Sequence, residues 1–224
     1  MPYPVPGDAV QETSAEPWNF GGTLFVSVFR VPAAAVPRKL LDATPERRYL
    51  LTVGRHTFVI LAMVRFGAGQ TPPDNELAVA LPTHGSGRWQ FTVPQLWVDD
   101  SDARDGIRTK WGIPADFATF DGDESSAGGT VHLETEDGPL VELRARYGRF
   151  RIPGRVRFPA DTVQRVHGRR VLSYNRIAAR LRGLSADWHF ETASPLGYLA
   201  GRKPLFSFAL TNATVIFGAR FERD

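Results

Sequence analysis

The sequence predicts a single strand-rich α+β domain, built on a large, mostly antiparallel sheet with a few short helices. Three observations predict it. Short β-branched and aromatic runs, bounded by turn residues, recur along most of the chain. The composition, with 15 Phe, 21 Gly and 17 Pro, favours strands and turns over a helical bundle. The 224 residues suffice for one substantial core, and no internal repeat or linker divides them. A sheet of this size curls or closes to hide its edges.

Residues 1–17 carry prolines and few apolar side chains, so they are expected as an N-terminal arm before a domain spanning 18–224. GTLFVSVFRV (22–31) alternates as a strand. PAAAVPRKLLDAT (32–44) has helical spacing, with Pro37 either in the first turn or breaking it. RRYLLTV and HTFVILAMVRF are consecutive strands joined by Gly54; the second is nearly all apolar, as in a strand covered on both faces. ELAVALPT (76–83) and RWQFTVPQLWV (88–98) pair across HGSG. Asp99, Asp100 or Ser101 caps a helix over DARDGIRTKW, which Gly112 and Pro114 end. Strands follow: FATFD, GTVHLETED, PLVELRARYG, RVRFP, TVQRVHG, RVLSYNRIAARLRG, ADWHFET and LFSFALTNATVIFGARF.

Charge and motifs exclude more than they select. There are 24 Arg and only three Lys (Lys39, Lys110, Lys203), with a formal net charge of +3. The arginines alternate with apolar strand residues, which reads as a solvated face rather than a nucleic-acid surface. No cysteine is present, so disulfide, thiolate and Cys-ligated metal chemistry are out. The five histidines form no metal-ligand spacing, so no metal is expected. GDESSAGG lacks the lysine of a phosphate loop, and Ser86 lacks a nucleophile elbow. No secretory apolar region and no apolar run near 18 residues is found, so a cytoplasmic protein is expected, with no membrane or nucleic-acid partner. Glu76 stands out: it opens an apolar strand directly after the turn TPPDN, placing a carboxylate at a strand mouth.

In order, several segments resemble the acetoacetate decarboxylase superfamily. LFVSVFRVPAAAVPRKL is similar to its opening strand and helix, FVILAMVRF to the next strand, and NELAVALPT to its Glu-containing strand ending in proline. LWVDDSDARDGIRTKWGIPADFA is the most specific match, with Ala103, Gly106, Gly112, Pro114 and Ala118 in register. The resemblance covers most of residues 20–221. It implies a strongly curved sheet closed into a cone-like barrel around an internal pocket, short helices outside, and homo-oligomers.

The family's chemistry rests on a Schiff-base lysine whose pKa is depressed by an adjacent lysine in an apolar setting. Here that pair is Ala115-Asp116; alanine cannot form an imine, and aspartate would raise a neighbouring amine's pKa. The resemblance also puts Val59 at a pocket glutamate position and Gly22 near a pocket arginine. Glu76 alone is kept as a candidate general acid or base. By register, Val59, Met63, Gln95, Trp97, Ile113 and Ala115 are expected to line the pocket.

These readings lead to an enzyme of specialised, polyketide-type or antibiotic metabolism, without cofactor or metal. It would bind an extended carbonyl or polyene intermediate and promote cyclisation, isomerisation or elimination non-covalently. The alternatives are a non-catalytic carrier on the same fold, or a lyase with its lysine relocated to Lys110.

Overall fold

The structure, a computed structural model, describes residues 18–42, 50–66, 75–85, 88–166, 169–218 and 220–221. The expected arm over 1–17 lies outside them. The described residues form one mostly β, largely antiparallel sheet with short helices.

The first strand, β1 (Trp18–Pro32), starts four residues earlier than the alternation suggested. The expected helix after it is divided. Ala33–Ala35 make one 3-10 turn, the chain extends at Val36, and α1 (Arg38–Asp42) begins after Pro37. Proline tolerates a helix start and not its interior, which accounts for the division. β2 (Thr52–Val53) turns through Gly54, at φ +62°, into β3 (His56–Phe66).

β4 (Asn75–Gly85) and β5 (Arg88–Val98) form the expected antiparallel pair, with a bulge between Val79 and Leu81. α2 (Ser101–Trp111) follows. Asp100 is its cap: the carboxylate accepts the Ala103 N–H at 2.7 Å, satisfying an otherwise unpaired first-turn donor. Gly112 ends α2 in the left-handed region, at φ 63°, where a Cβ is disfavoured. The chain then runs into β6 (Ala115–Phe117), which pairs in parallel with β5.

β7 (Thr119–Ser125), β8 (Gly128–Thr135) and β9 (Gly138–Arg151) are a meander. β10 (Val156–Pro159), β11 (Thr162–Val166), β12 (Arg169–Ser173), β13 (Asn175–Phe190), β14 (Phe206–Phe217) and β15 (Arg220–Phe221) complete the sheet. Four segments differ from expectation here. FATFD is cut at Ala118 between β6 and β7, and LFSFALTNATVIFGARF is cut after Phe217 between β14 and β15. RVLSYNRIAARLRG is cut at Tyr174 between β12 and β13, and β13 continues into ADWHFET as far as Phe190.

Asn175 accounts for the cut at Tyr174. Its buried amide donates to Ala160 O at 2.9 Å and accepts from the Gly218 N–H at 3.3 Å. Its own N–H donates to the buried Asp161 carboxylate at 3.1 Å, so three chain segments meet at one side chain.

The order through the middle of the sheet is β11-β5-β4-β3-β1-β14-β13-β9-β8-β7. One face of β1, β3, β4, β8 and β9 is filled by a large core including Phe25, Phe29, Met63, Leu77, Trp97 and Leu143. The other face carries two smaller clusters. One is built on Val93, Leu96, Ile107, Trp111 and Ile113, the other on Leu24, Val64, Ala179 and Leu210.

Candidate functional site

Between those two smaller clusters lies a cavity of about 190 Å³, more than ten times what one ordered water needs. Its walls come from β1, β3, β4, β5, α2, β13, β14 and the Ala160–Thr162 segment. Strand register explains why the space exists. Across β3, β4 and β5, the row Ala62–Ala78–Leu96 runs beside the row Val64–Glu76–Val98. Ala62, Ala78 and Ala80 all line the cavity; their methyl groups leave open what larger side chains would fill.

The aromatic end of the cavity is set by α2 packing on β1 and β14. Trp18 and Trp111 meet edge to face at 4.4 Å between ring centroids, Trp111 and Phe217 at 4.9 Å, and Phe20 and Phe66 at 5.2 Å. Such contacts favour edge-to-face geometry because ring edges are positive and faces negative. The buried Trp111 Nε1–H has no hydrogen-bond acceptor, which is unusual for a buried indole.

Glu76 is half-buried and lines this cavity. Apart from Glu76, the side chains of the lining that carry a polar atom are few: Thr162, Asn175 and the indoles of Trp18 and Trp111. Burial alone pushes the Glu76 carboxyl up to about 7, because desolvation penalises its charged form. At neutral pH the group is therefore poised between acid and base.

Of the seven residues expected at the site, Glu76 and Ile113 line the cavity. Ala115 is fully buried in the cluster with Ile113, Leu96 and Trp111, directly opposite Leu96. Val59, Met63 and Trp97 lie instead in the large core on the opposite face, and Gln95 pairs with Val79 of that core face. The reason is the two-residue period of a strand: a placement off by one sends a side chain to the other face. Trp97 is the register partner of Leu77, whereas Glu76 partners Val98.

The residues missed were the alanines and the Trp18–Trp111–Phe217 aromatics. In NELAVALPT, Glu76, Ala78 and Ala80 alternate with Leu77, Val79 and Leu81. A carboxylate sharing its face with small residues is a signal the sequence does contain.

Gly22, near the position of the resembled family's pocket arginine, can hold no side chain. A Cβ there would lie 2.1 Å from the Arg65 carbonyl oxygen, where β1 crowds β3. Asp116 faces outward and pairs with Arg108 at 2.6 Å, with both side chains well exposed. Lys110 is exposed, its Nζ 4.9 Å from the Trp18 ring centroid, and no lysine lines the cavity.

The architecture matches solved structures of the acetoacetate decarboxylase-like fold. The acetoacetate decarboxylase of Legionella pneumophila superimposes with a TM-score of 0.69 at 14% identity, covering 93% of this chain and 88% of that one. An acetoacetate decarboxylase-like enzyme from Sphingomonas wittichii RW1 gives a TM-score of 0.67 at 13% identity, with 93% of each chain covered. The enduracididine biosynthesis enzyme MppR, complexed with the condensation product of pyruvate and imidazole 4-carboxaldehyde, gives 0.60 at 18% identity. That match covers 99% of this chain and 96% of MppR. At such identities the likeness establishes the fold and not the reaction. No protein-family model matches the sequence, and no curated protein does. No described helix is long and apolar enough to cross a membrane.

Proposed function

We propose that the protein is a small-molecule enzyme of specialised, polyketide-type metabolism that binds an apolar carbonyl or polyene substrate in the cavity. It promotes cyclisation, isomerisation or elimination without a covalent intermediate. One observation carries this reading: the cavity holds a single carboxyl, Glu76, in a largely apolar, aromatic wall whose desolvation raises its pKa to about 7. The neighbours' fold is that of enzymes acting on small molecules, one of them biosynthetic and seen with a pyruvate-derived product. That favours an enzyme over a purely structural protein.

Glu76 protonated at Oε donates its proton to a carbonyl oxygen or to an alkene carbon, and its carboxylate form removes an acidic C–H proton. A group with a pKa near the working pH does either with little penalty. The Trp111 Nε1–H offers a donor to a ligand oxygen. The aromatic walls hold a flexible chain in one fold, and orientation of this kind lowers a unimolecular barrier by several kcal/mol. Hydrogen bonds through Asn175 and Phe91 to the Ala160–Thr162 segment support a sheet wrapped into a cone about the cavity. Oligomers of this chain belong to the same reading.

Native mass spectrometry of the purified protein identifies what co-purifies, and turnover of that compound is then compared in Glu76→Gln. The reading expects turnover to fall at least about a hundredfold, the usual scale of general acid–base help. It also expects borohydride with pyruvate to trap no lysine adduct. A ligand returned chemically unchanged, with Glu76→Gln altering affinity alone, would instead establish a carrier. A trapped adduct on Lys110 would establish a lyase with a relocated lysine.

A further inference from the structure

The arginines are not evenly spread. Residues 143–183 contain twelve arginines and one acidic residue, Asp161, in a chain whose formal net charge is only +3. Three of them, Arg151, Arg180 and Arg182, converge with Thr211 and Asn212 on a surface depression of about 550 Å³. This depression shares no lining residue with the Glu76 cavity, and no carboxylate lines it.

Several features mark it as built. Arg151 and Arg182 are directly opposed on β9 and β13, and like charges at opposed positions destabilise a sheet. Arg180, two residues along β13, points to the same face by strand period. Among the described residues, neither Arg151 nor Arg180 makes a hydrogen bond or ion pair through its guanidinium.

Arg182 stacks its guanidinium 4.0 Å from the Tyr147 ring centroid. This fixes the group, yet its buried Nε has no acceptor. Register shifts bracket the pair, between Ala178 and Arg180 against β14 and between Arg182 and Leu184 against β9. Bulges of this kind re-aim side chains beside functional sites. Next to Thr211, the register partner of Arg180, Asn212 has a φ of 49° and is the only non-glycine described residue at positive φ. That conformation costs energy and tends to be kept where it serves a site.

We propose that this depression is an oxyanion site for a phosphate group, free or as an ester. Guanidinium forks match phosphate oxygens in pairs, and three of them without a carboxylate suit a dianion better than a single carboxylate. The Asn212 side-chain amide adds a neutral donor at the rim. Bound phosphate would relieve the repulsion between Arg151 and Arg182 and supply the acceptor that Arg182 Nε lacks.

The test is isothermal titration of the full chain with inorganic phosphate at low ionic strength. Arg151→Ala and Arg180→Ala, both at exposed positions, are each expected to weaken binding about tenfold or more, the scale of a charge-assisted hydrogen bond. Arg180→Lys should recover only part of the loss, because an ammonium lacks the paired fork. Arg157→Ala, an exposed arginine on β10 outside the depression, should bind as the parent does. Phenyl phosphate binding more tightly than inorganic phosphate assigns the site to an ester, and equal binding assigns it to the free ion. The proposal is overturned if the Arg151→Ala/Arg180→Ala double variant, with an unchanged melting profile, binds phosphate as the parent does. It is equally overturned if Arg157→Ala loses as much.

Discussion

The two faces of β3, β4 and β5 are made by the same three strands and behave as opposites. On one face, Met63, Leu77 and Trp97 form a row that is almost wholly shielded from solvent. On the other, Ala62, Ala78 and Leu96 form a row that borders open space, with Glu76 in the next row. Both faces are apolar, so hydrophobicity does not separate them. Side-chain volume does, and it decides which face becomes a core and which becomes a binding cavity.

Truncating the packed face should have the largest effect. Trp97→Ala removes a buried indole from the large core and should destabilise the protein by about 3–5 kcal/mol, read from the urea midpoint. A loss under ~1 kcal/mol would mean that this face is not the packed one.

The cavity face should respond to pH in a way the packed face does not. The Glu76 carboxyl titrates at about 7 in the folded protein, against an ordinary value of 4.5. Between these values the unfolded chain has ionised and the folded one still holds its proton. Stability therefore falls as pH rises from about 4.5 to about 7, and stays at the lower level above that. Glu76→Gln abolishes this fall. It should match the parent at pH 4 and exceed it at pH 8 by at most ~3 kcal/mol, less whatever water at the half-buried carboxyl screens. Parallel urea titrations at the two pH values measure it, and equal midpoints at pH 8 would mean that the carboxyl is solvated.

Filling the cavity should cost less still. Ala78→Leu adds volume where there is room, so the stability change should stay within about 1.5 kcal/mol while ligand binding is lost. If instead it destabilises the protein as Trp97→Ala does, the space near Ala78 is smaller than the register implies.

Most strands were legible because alternation and turn residues report the backbone directly, and α2 was legible because Asp100 and Gly112 mark its two ends. Glu76 was legible as a carboxylate at the start of an apolar strand. The lining was not, because it depends on which parity of β3 and β5 faces inward, and both parities there are apolar. Register alone put Trp97 in the lining, whereas the structure sets it opposite Leu77 in the large core. The break at Tyr174 was hidden for a different reason, since it depends on Asn175 binding Ala160 and Gly218, residues distant in sequence. The convergence of Arg151 on Arg180 and Arg182 is likewise a matter of strand pairing that no local pattern reveals.

The smallest effect belongs to the turn after α2, where the same inside–outside contrast is compressed into two residues. Ala115 is fully buried beside the cavity cluster, and its neighbour Asp116 is exposed and paired with Arg108 across α2's last turn. Exposed pairs of this kind contribute about 0.2–1 kcal/mol, because water screens the attraction and ordering two side chains opposes it. Asp116→Ala should therefore shift the urea midpoint by no more than that, and the shift should vanish in high salt. It should also leave ligand binding in the cavity untouched, because the carboxylate faces away from it. A loss of binding in Asp116→Ala would place this residue on the cavity side and reverse the assignment of faces at the end of β5.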